Sequence, residues 1–237
     1  MLGQPETDLP RTQKEETPVE LDLREPLRYL GVRGEPDPDL LRELSAAADK
    51  LTRSVTPRWV WRVFHVKHSF DEETLEGAGL TLPGGLARTM LGDCAQAVVL
   101  ACTLGAGFEA MLRGEQARGM ARAALLDACG SAWVEAGCGA AEEEIAARFP
   151  GLHLTDRFSP GYGDLPLALQ RDICAILDTP RRLGVQVGES LLMNPAKSVT
   201  AVIGLSERPQ PARVRGCGYC ALRETCQYHK EGKSCGA

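Results

Sequence analysis

An arginine followed by a proline-glycine turn stands out in the segment RFSPGYGDLP, which begins at Arg157. The guanidinium of Arg157 presents a planar fork of N–H donors that matches a carboxylate or a phosphate. Pro160 fixes its own backbone, and Gly161 permits a positive φ or a close approach of the backbone to a ligand. The ring of Tyr162 offers a face to a cation or a planar heterocycle. These groups suit a ligand that carries a carboxylate, a cationic centre and an aromatic base.

The residue types leave structural alternatives open. In a purely structural turn, Arg157 would make a surface ion pair and Tyr162 would pack on the core. His65 and His68 suit surface or packed histidines better than a metal site. The glutamates at 142–144 are predicted to form a solvated helix face.

Four cysteines lie close together near the end of the sequence: Cys217, Cys220, Cys226 and Cys235. Gaps of two, five and eight residues separate them. Four thiolates in a short segment without an apolar core predict a zinc ion or an iron-sulfur cluster, with His229 as a substitute ligand. Unligated thiols are the alternative. The other five cysteines lie in apolar patterns and are predicted to be small core residues: Cys94, Cys102, Cys129, Cys138 and Cys174.

Composition narrows the class of protein. The 237 residues are 43% hydrophobic, which is enough for a substantial core, and the net charge of −5 does not favour nucleic acid or an anionic membrane as a partner. Nine cysteines are an odd number, which favours thiols or metal ligands in a reducing compartment over paired disulfides. With no signal-like or membrane-spanning apolar stretch, we expect a cytoplasmic protein.

The periodicity of apolar residues predicts a mixture of helices and strands that would position these residues. Helices are predicted over residues 40–55, 119–149 and 165–177, and strands over residues 58–66, 95–105, 152–158 and 197–205. Strands and helices do not alternate regularly, so the sequence predicts an α+β fold with a mainly antiparallel twisted sheet and flanking helices. Asp39 is predicted to cap the first helix. Trp59, Trp61 and Val63 should share one face of their strand.

The composition also divides the chain. Residues 1–18 mix charges with prolines and are predicted to be a flexible tail. The folded domain is predicted over residues 19–208, and residues 209–237 form an appended cysteine-rich segment. From Ala212 to Ala237 this segment carries five Lys or Arg against two Glu. Its net charge is therefore positive, whereas that of the whole chain is negative.

Several motifs resemble the reactivation domain of cobalamin-dependent methionine synthase. That family carries an Arg-x-x-Pro-Gly-Tyr-x-x-x-Pro turn, a Glu-Ser pair, a Met-x-Pro and a Ser-Val-Ser strand. The matching residues here are Arg157, Pro160, Gly161, Tyr162, Pro166, Glu189, Ser190, Met193, Pro195, Ser198 and Val199. The segment ALLDACGSAWVEA is similar to a family helix and puts Asp127 and Glu135 at matching acidic positions. Asp22 matches an N-terminal aspartate of the family.

The resemblance implies a ligand and partners. The family's domain binds S-adenosylmethionine, and the matching residues imply a site formed by Arg157, Pro160, Gly161, Tyr162, Asp22, Glu135, Glu189 and Ser198. The domain closes over cobalamin on a corrinoid-binding domain and supports its reductive methylation, with an electron donor such as flavodoxin or ferredoxin. The resemblance therefore implies a component of a methyltransferase reaction in methionine biosynthesis. Because the cofactor supplies the nucleophile, we expect no catalytic triad.

Departures from the family keep other functions open. Ile203 and Gly204 stand where the family has a Tyr-Phe pair that contributes to the ligand site. No corrinoid motif is visible, so we expect the cobalamin to be carried by a separate methionine synthase or by another corrinoid methyltransferase. A non-catalytic, metal-binding adaptor with the same fold is the alternative from a different class. Lys197 is expected at the surface or against a corrinoid phosphate. We expect an open concave surface beside the turn at 157–166.

Overall fold

A computed structural model describes residues 19–210 and Lys230. In chain order its elements are α1 (Arg24–Tyr29), α2 (Pro38–Ser54), β1 (Arg58–His68), β2 (Glu72–Leu75), β3 (Leu80–Pro83), α3 (Gly85–Leu91), β4 (Gln96–Thr103), α4 (Gly105–Arg118), α5 (Met120–Arg148), β5 (His153–Leu154), α6 (Leu169–Leu177), α7 (Thr179–Arg182), β6 (Gln186–Val187), β7 (Met193–Asn194) and β8 (Ser198–Ser206). Among the described residues, no helix combines the length and apolar composition that a membrane crossing requires. The predicted tail at 1–18 and the four C-terminal cysteines lie outside the described residues.

Six strands form one sheet in the order β3-β2-β1-β4-β8-β5, and every neighbouring pair is antiparallel. A separate two-stranded sheet pairs β6 with β7. Helices pack on both faces of the large sheet. The predicted α+β fold with a mainly antiparallel sheet and flanking helices is confirmed.

Strand β1 divides its side chains between the two faces of the sheet. Trp59, Trp61 and Val63 contact the core that also contains α2 and α5, as predicted. Val60 and Phe64 point to the other core, which contains α3 and α6. Alternation with a period of two is the geometry of an extended strand, so this strand supplies both cores at once.

Helix α2 begins at Pro38, two residues earlier than its apolar pattern indicates. Asp37, not Asp39, is the N-cap, and its Oδ1 accepts hydrogen bonds from the backbone N–H groups of Asp39 and Leu40 at 2.8 and 3.3 Å. The prediction for Asp39 was wrong because Pro38 occupies the first helical position, which suits a residue without an N–H donor.

The long helix α5 crosses the sheet at very short range. A Cβ on Gly130 would lie 2.3 Å from Cζ of Phe108, and a Cβ on Gly137 would lie 2.5 Å from Cβ of Pro57. Only hydrogen fits at these two positions, so the glycines set how closely α5 approaches α4 and the residue that precedes β1. Small residues thus permit close packing of this helix.

Candidate functional site

Arg157 lies between the edge strand β5 and Phe158, whose backbone bridges to Val202 of β8. Its Nη1 donates to Oε1 of Glu142 at 2.7 Å, and its Nη2 donates to Oε2 of Glu135. The Arg157 side chain is only 14% exposed. The guanidinium is thus held in a fixed orientation by two carboxylates that lie two turns apart on α5.

A row of polar side chains along α5, the α5 stripe, comprises Asp127, Ser131, Glu135 and Glu142. The first three are four residues apart, and Glu142 follows Glu135 after seven residues. These spacings place all four on one side of the helix. At the other end of the stripe from Arg157, Nζ of Lys197 donates to Ser131 Oγ at 2.8 Å and lies 2.9 Å from Asp127 Oδ1. The Lys197 side chain is 18% exposed, so its ammonium belongs to this ion pair more than to the open surface.

The predicted solvated face at 142–144 was wrong for two of its three glutamates. Glu142 binds Arg157, and Glu144 accepts hydrogen bonds from the indole Nε1 atoms of Trp59 and Trp61 at 2.8 and 3.0 Å. Glu143 is exposed, as predicted. A run of three glutamates looks solvated in sequence, whereas the partners of these carboxylates come from distant segments.

Charges around Arg157 are arranged to keep it cationic. Burial lowers the pKa of Arg157, but the acidic groups of Cys138, Glu142 and Glu135 raise it by more, so the net pKa is raised. Next to this cluster, a hydrogen bond to Cys138 and full burial raise the pKa of Cys102 well above its ordinary value. Cys102 is therefore a neutral thiol.

Tyr29 was not predicted as part of this region. Burial raises the pKa of the Tyr29 phenol, and the charge of Glu135 raises it further, so Tyr29 lies near this end of the α5 stripe. Helix α1 brings it there by packing on α5. The sequence signal is weak because the six-residue helix α1 is too short to show clear apolar periodicity.

The turn after Arg157 is closed by its own backbone. Gly161 donates to Leu165 O at 2.9 Å, and Tyr162 donates to Ser159 O at 3.0 Å. Gly161 has a φ of +91°, which is the conformation expected for glycine at this turn. Tyr162 is 53% exposed, so the alternative in which this ring packs on the core was wrong.

Asp164 attaches the turn to helix α3. Its Oδ2 and Oδ1 accept hydrogen bonds from the N–H groups of Gly85 and Leu86 at 2.6 and 3.0 Å. These are donors of the first helical turn, which have no partner within the helix. The hydrogen bonds from Leu86 and Gly85 lower the pKa of Asp164 below its ordinary 3.8.

Replacing Asp164 should expose this attachment as a pH-dependent contribution to stability. A carboxyl with a lowered pKa stabilises the fold above its unfolded pKa, and that contribution is lost as pH falls through the folded value. Asp164→Ala should lower the free energy of unfolding by about 0.5–1 kcal/mol at neutral pH, as loss of an exposed helix cap does. Asp164→Asn should retain most of the cap and lose the titration below pH 3.8. Urea denaturation from pH 2.5 to pH 7 measures both; equal pH dependence in all three proteins would contradict the assignment.

Three other predicted site residues lie away from the Arg157 pair in the contacts that the structure describes. Asp22 pairs with Arg24 at 2.6 Å on an exposed surface. Glu189 is exposed in the loop between β6 and β7. Ser198 donates to Pro195 O at 2.7 Å and lies 2.7 Å from Thr103 Oγ1. Arg157 and Glu135 are brought into contact, whereas ligand contacts by Asp22, Glu189 and Ser198 stay predictions.

Strand β8 has no aromatic side chain where the resembled family has two. Ile203 is fully buried in the core. A Cβ on Gly204 would lie 2.5 Å from Cys94 Sγ and 2.9 Å from Thr155 Cγ2. Both positions are therefore filled by core packing, and neither offers a ring to a ligand.

Elsewhere the described residues hold no metal-like cluster. His68 Nδ1 lies 2.6 Å from Glu73 Oε2, and in the part of the chain that the structure describes no three His, Cys, Asp or Glu side chains could hold a metal ion. The five cysteines predicted to be core residues are all buried, as predicted. The tail cysteines, Cys217 to Cys235, lie outside the description and stay a prediction.

One open cleft of about 530 Å³ adjoins the site. Glu142 lines it and also binds Arg157. The other lining residues are Gly139, Glu143, Ala146, Leu152, His153, Leu154, Pro209 and Gln210. No residue of the turn lines this cleft, so the concave surface expected beside the turn stays a prediction.

Comparisons with known proteins give one informative result. No family model and no curated protein sequence matches this chain. Among solved structures, the chain matches the crystal structure of the MetH reactivation domain bound to AdoHcy, with a TM-score of 0.60 and 15% sequence identity. The match covers 90% of this chain and 83% of that chain. At this identity the likeness shows a shared fold.

Proposed function

We propose that this chain binds S-adenosylmethionine at the Arg157 cluster and supports reductive methylation of cobalamin carried by a separate methionine synthase. The observation that carries the proposal is the pairing of Arg157 with Glu135, in the segment whose following turn exposes Tyr162. An amino acid ligand needs a cation for its carboxylate and an anion for its ammonium, and this pair supplies both. The solved structure with the same fold, the MetH reactivation domain, is bound to AdoHcy.

The residues fit such a ligand without rebuilding the site. A guanidinium has five N–H donors, and the carboxylates of Glu142 and Glu135 occupy one on each terminal nitrogen. Donors remain for a third carboxylate. Glu135 is itself partly exposed and can accept from an ammonium group. When bound, S-adenosylmethionine supplies the methyl group; the chain binds it, orients it and keeps Arg157 charged.

Isothermal calorimetry with two thioethers tests the proposal directly. S-adenosylhomocysteine has the carboxylate and the ammonium, whereas 5′-methylthioadenosine keeps the adenosine and the sulfur without either. Each charged hydrogen bond is worth about 1.5–3 kcal/mol, so methylthioadenosine should bind at least ~10- to 100-fold more weakly. Equal affinities for the two thioethers would contradict the amino acid subsite. If neither thioether nor S-adenosylmethionine binds, the proposed function is wrong.

A non-catalytic adaptor is the second candidate. The buried Ile203 and the tightly packed Gly204 favour it, because they leave β8 without rings for an adenine. The calorimetry separates the two functions, since an adaptor would bind neither S-adenosylmethionine nor S-adenosylhomocysteine. Reactivation of another corrinoid methyltransferase uses the same site and differs only in the partner, as co-purification from native extract would reveal.

We further propose that Cys217, Cys220, Cys226 and Cys235 bind a zinc ion or an iron-sulfur cluster. An electron relay would suit a protein that works with a donor such as flavodoxin or ferredoxin. An anaerobic preparation that absorbs visible light through thiolate-to-iron bands would identify a cluster. A colourless protein with one zinc per chain would identify zinc, and a metal-free protein would contradict both.

A further inference from the structure

The cleft next to Arg157, the α5–β5 cleft, has two chemically different walls. One wall is the C-terminal half of α5, which contributes Glu142 and Glu143. The other is the edge strand β5 with the residue before it, and it contributes Leu152, His153 and Leu154. An acidic wall facing an apolar one suits a segment that carries both arginines and apolar side chains.

The acidic wall has unused acceptors. Glu142 uses Oε1 for Arg157, and none of the described residues donates to its Oε2. Glu143 is exposed, and no described side chain or backbone group pairs with it. In addition, Oε1 of Gln210 is buried with no donor in the described part of the chain. The cleft is therefore lined by residues with acceptor oxygens that have no donor among the described residues.

The chain itself continues from the cleft. Pro209 and Gln210 line it, and residues 211–237, the C-terminal segment, follow directly. Arg213 is three residues beyond Gln210 in the sequence, and three residues of chain can span at most about 11 Å. The segment carries five Lys or Arg against two Glu. Its charge is opposite to that of the cleft, and its first arginines are within reach.

We propose that the C-terminal segment docks in the α5–β5 cleft of its own chain, with Arg213 and Arg215 beside Glu142 and Glu143. An arginine at Oε2 of Glu142 adds to the cluster without displacing Arg157. Docking thereby holds the four-cysteine segment beside the Arg157 site. The inference does not depend on S-adenosylmethionine binding, and its tests are done without ligand.

Zero-length crosslinking of the full chain tests the contact. Arg213→Lys and Arg215→Lys keep the charge and introduce amines that carbodiimide joins to neighbouring carboxylates. We expect a crosslink within one chain from either position to Glu142 or Glu143, and its yield should fall with Glu143→Gln but not with Glu72→Gln on β2. Mixing isotope-labelled and unlabelled protein separates links within and between chains. Links only between chains, or none to Glu142 and Glu143, would overturn the proposal.

Hydrogen exchange provides an independent measurement on the same protein. Reversing both charges in Arg213→Glu/Arg215→Glu should speed exchange in residues 152–154 by roughly two- to tenfold, as expected for loss of two exposed ion pairs. Arg113→Glu, an exposed charge reversal on α4, is the control and should leave that exchange unchanged. Equal exchange in the double variant and in the control would also overturn the docking.

Discussion

Arg157→Ala is expected to weaken S-adenosylmethionine binding by about 100-fold, which corresponds to ~3 kcal/mol. The substitution removes the only group of the cluster that can pair with the ligand's carboxylate. It also leaves Glu135 and Glu142 facing each other without their shared cation. Two uncompensated carboxylates would then repel the carboxylate of the ligand. Calorimetry with the purified variant measures the loss.

Two further variants show whether the effect is local. Arg157→Lys keeps the charge but lacks the planar fork, so we expect binding to weaken by roughly tenfold. Arg181→Ala removes an exposed arginine that pairs with Asp178, and binding should not change. Circular dichroism must show an intact fold in each variant. A folded Arg157→Ala protein with wild-type affinity would place the ligand elsewhere.

Phe108→Ala is expected to lower the free energy of unfolding by about 3–5 kcal/mol. Phe108 is fully buried on α4, and its ring covers the backbone of α5 at Gly130. Because the ring fills a space defined by two helix backbones, the cavity left behind cannot easily collapse. Urea denaturation measures the loss.

Two glycines of the same helix provide a matched comparison. Gly130→Ala forces a methyl group into the Phe108 ring and should cost about 1–3 kcal/mol, partly offset by the higher helix propensity of alanine. Gly139 has no neighbour within 4 Å of an added Cβ, so Gly139→Ala should be neutral or stabilise by up to ~1 kcal/mol. Combining Gly130→Ala with Phe108→Leu should recover part of the loss. Similar stabilisation by both alanines would show that the close packing is not limiting.

The long elements of the fold were predictable because the local sequence pattern is enough to indicate each helix or strand. The β-branched run in β4 and β8 and the small apolar residues of α5 show their structure without help from distant segments. Helix α4 was missed because three glycines and several charges weaken its local signal. Its stability comes from tertiary contacts such as Phe108 against Gly130, which a single segment does not reveal.

The candidate site was predictable only in part. Arg157 and the turn could be singled out because their residue types have few other uses together, and ligand binding by them stays a prediction. The role of Glu142 was missed because it is one of three consecutive glutamates. The sequence does not indicate which of them pairs with Arg157, fifteen residues away. The pairing of Lys197 with Ser131 spans 66 residues and is likewise a product of the fold.

The hydrogen bonds of Glu144 give the protein an optical reporter of its own. Two of its three tryptophans, Trp59 and Trp61, donate their indole N–H groups to this carboxylate, while Trp133 donates to the Val55 carbonyl in the core. Glu144 lies on the same helical turn as Glu142. Indole emission responds to nearby charge, so events at the α5 carboxylates can be followed by intrinsic fluorescence, without any attached dye.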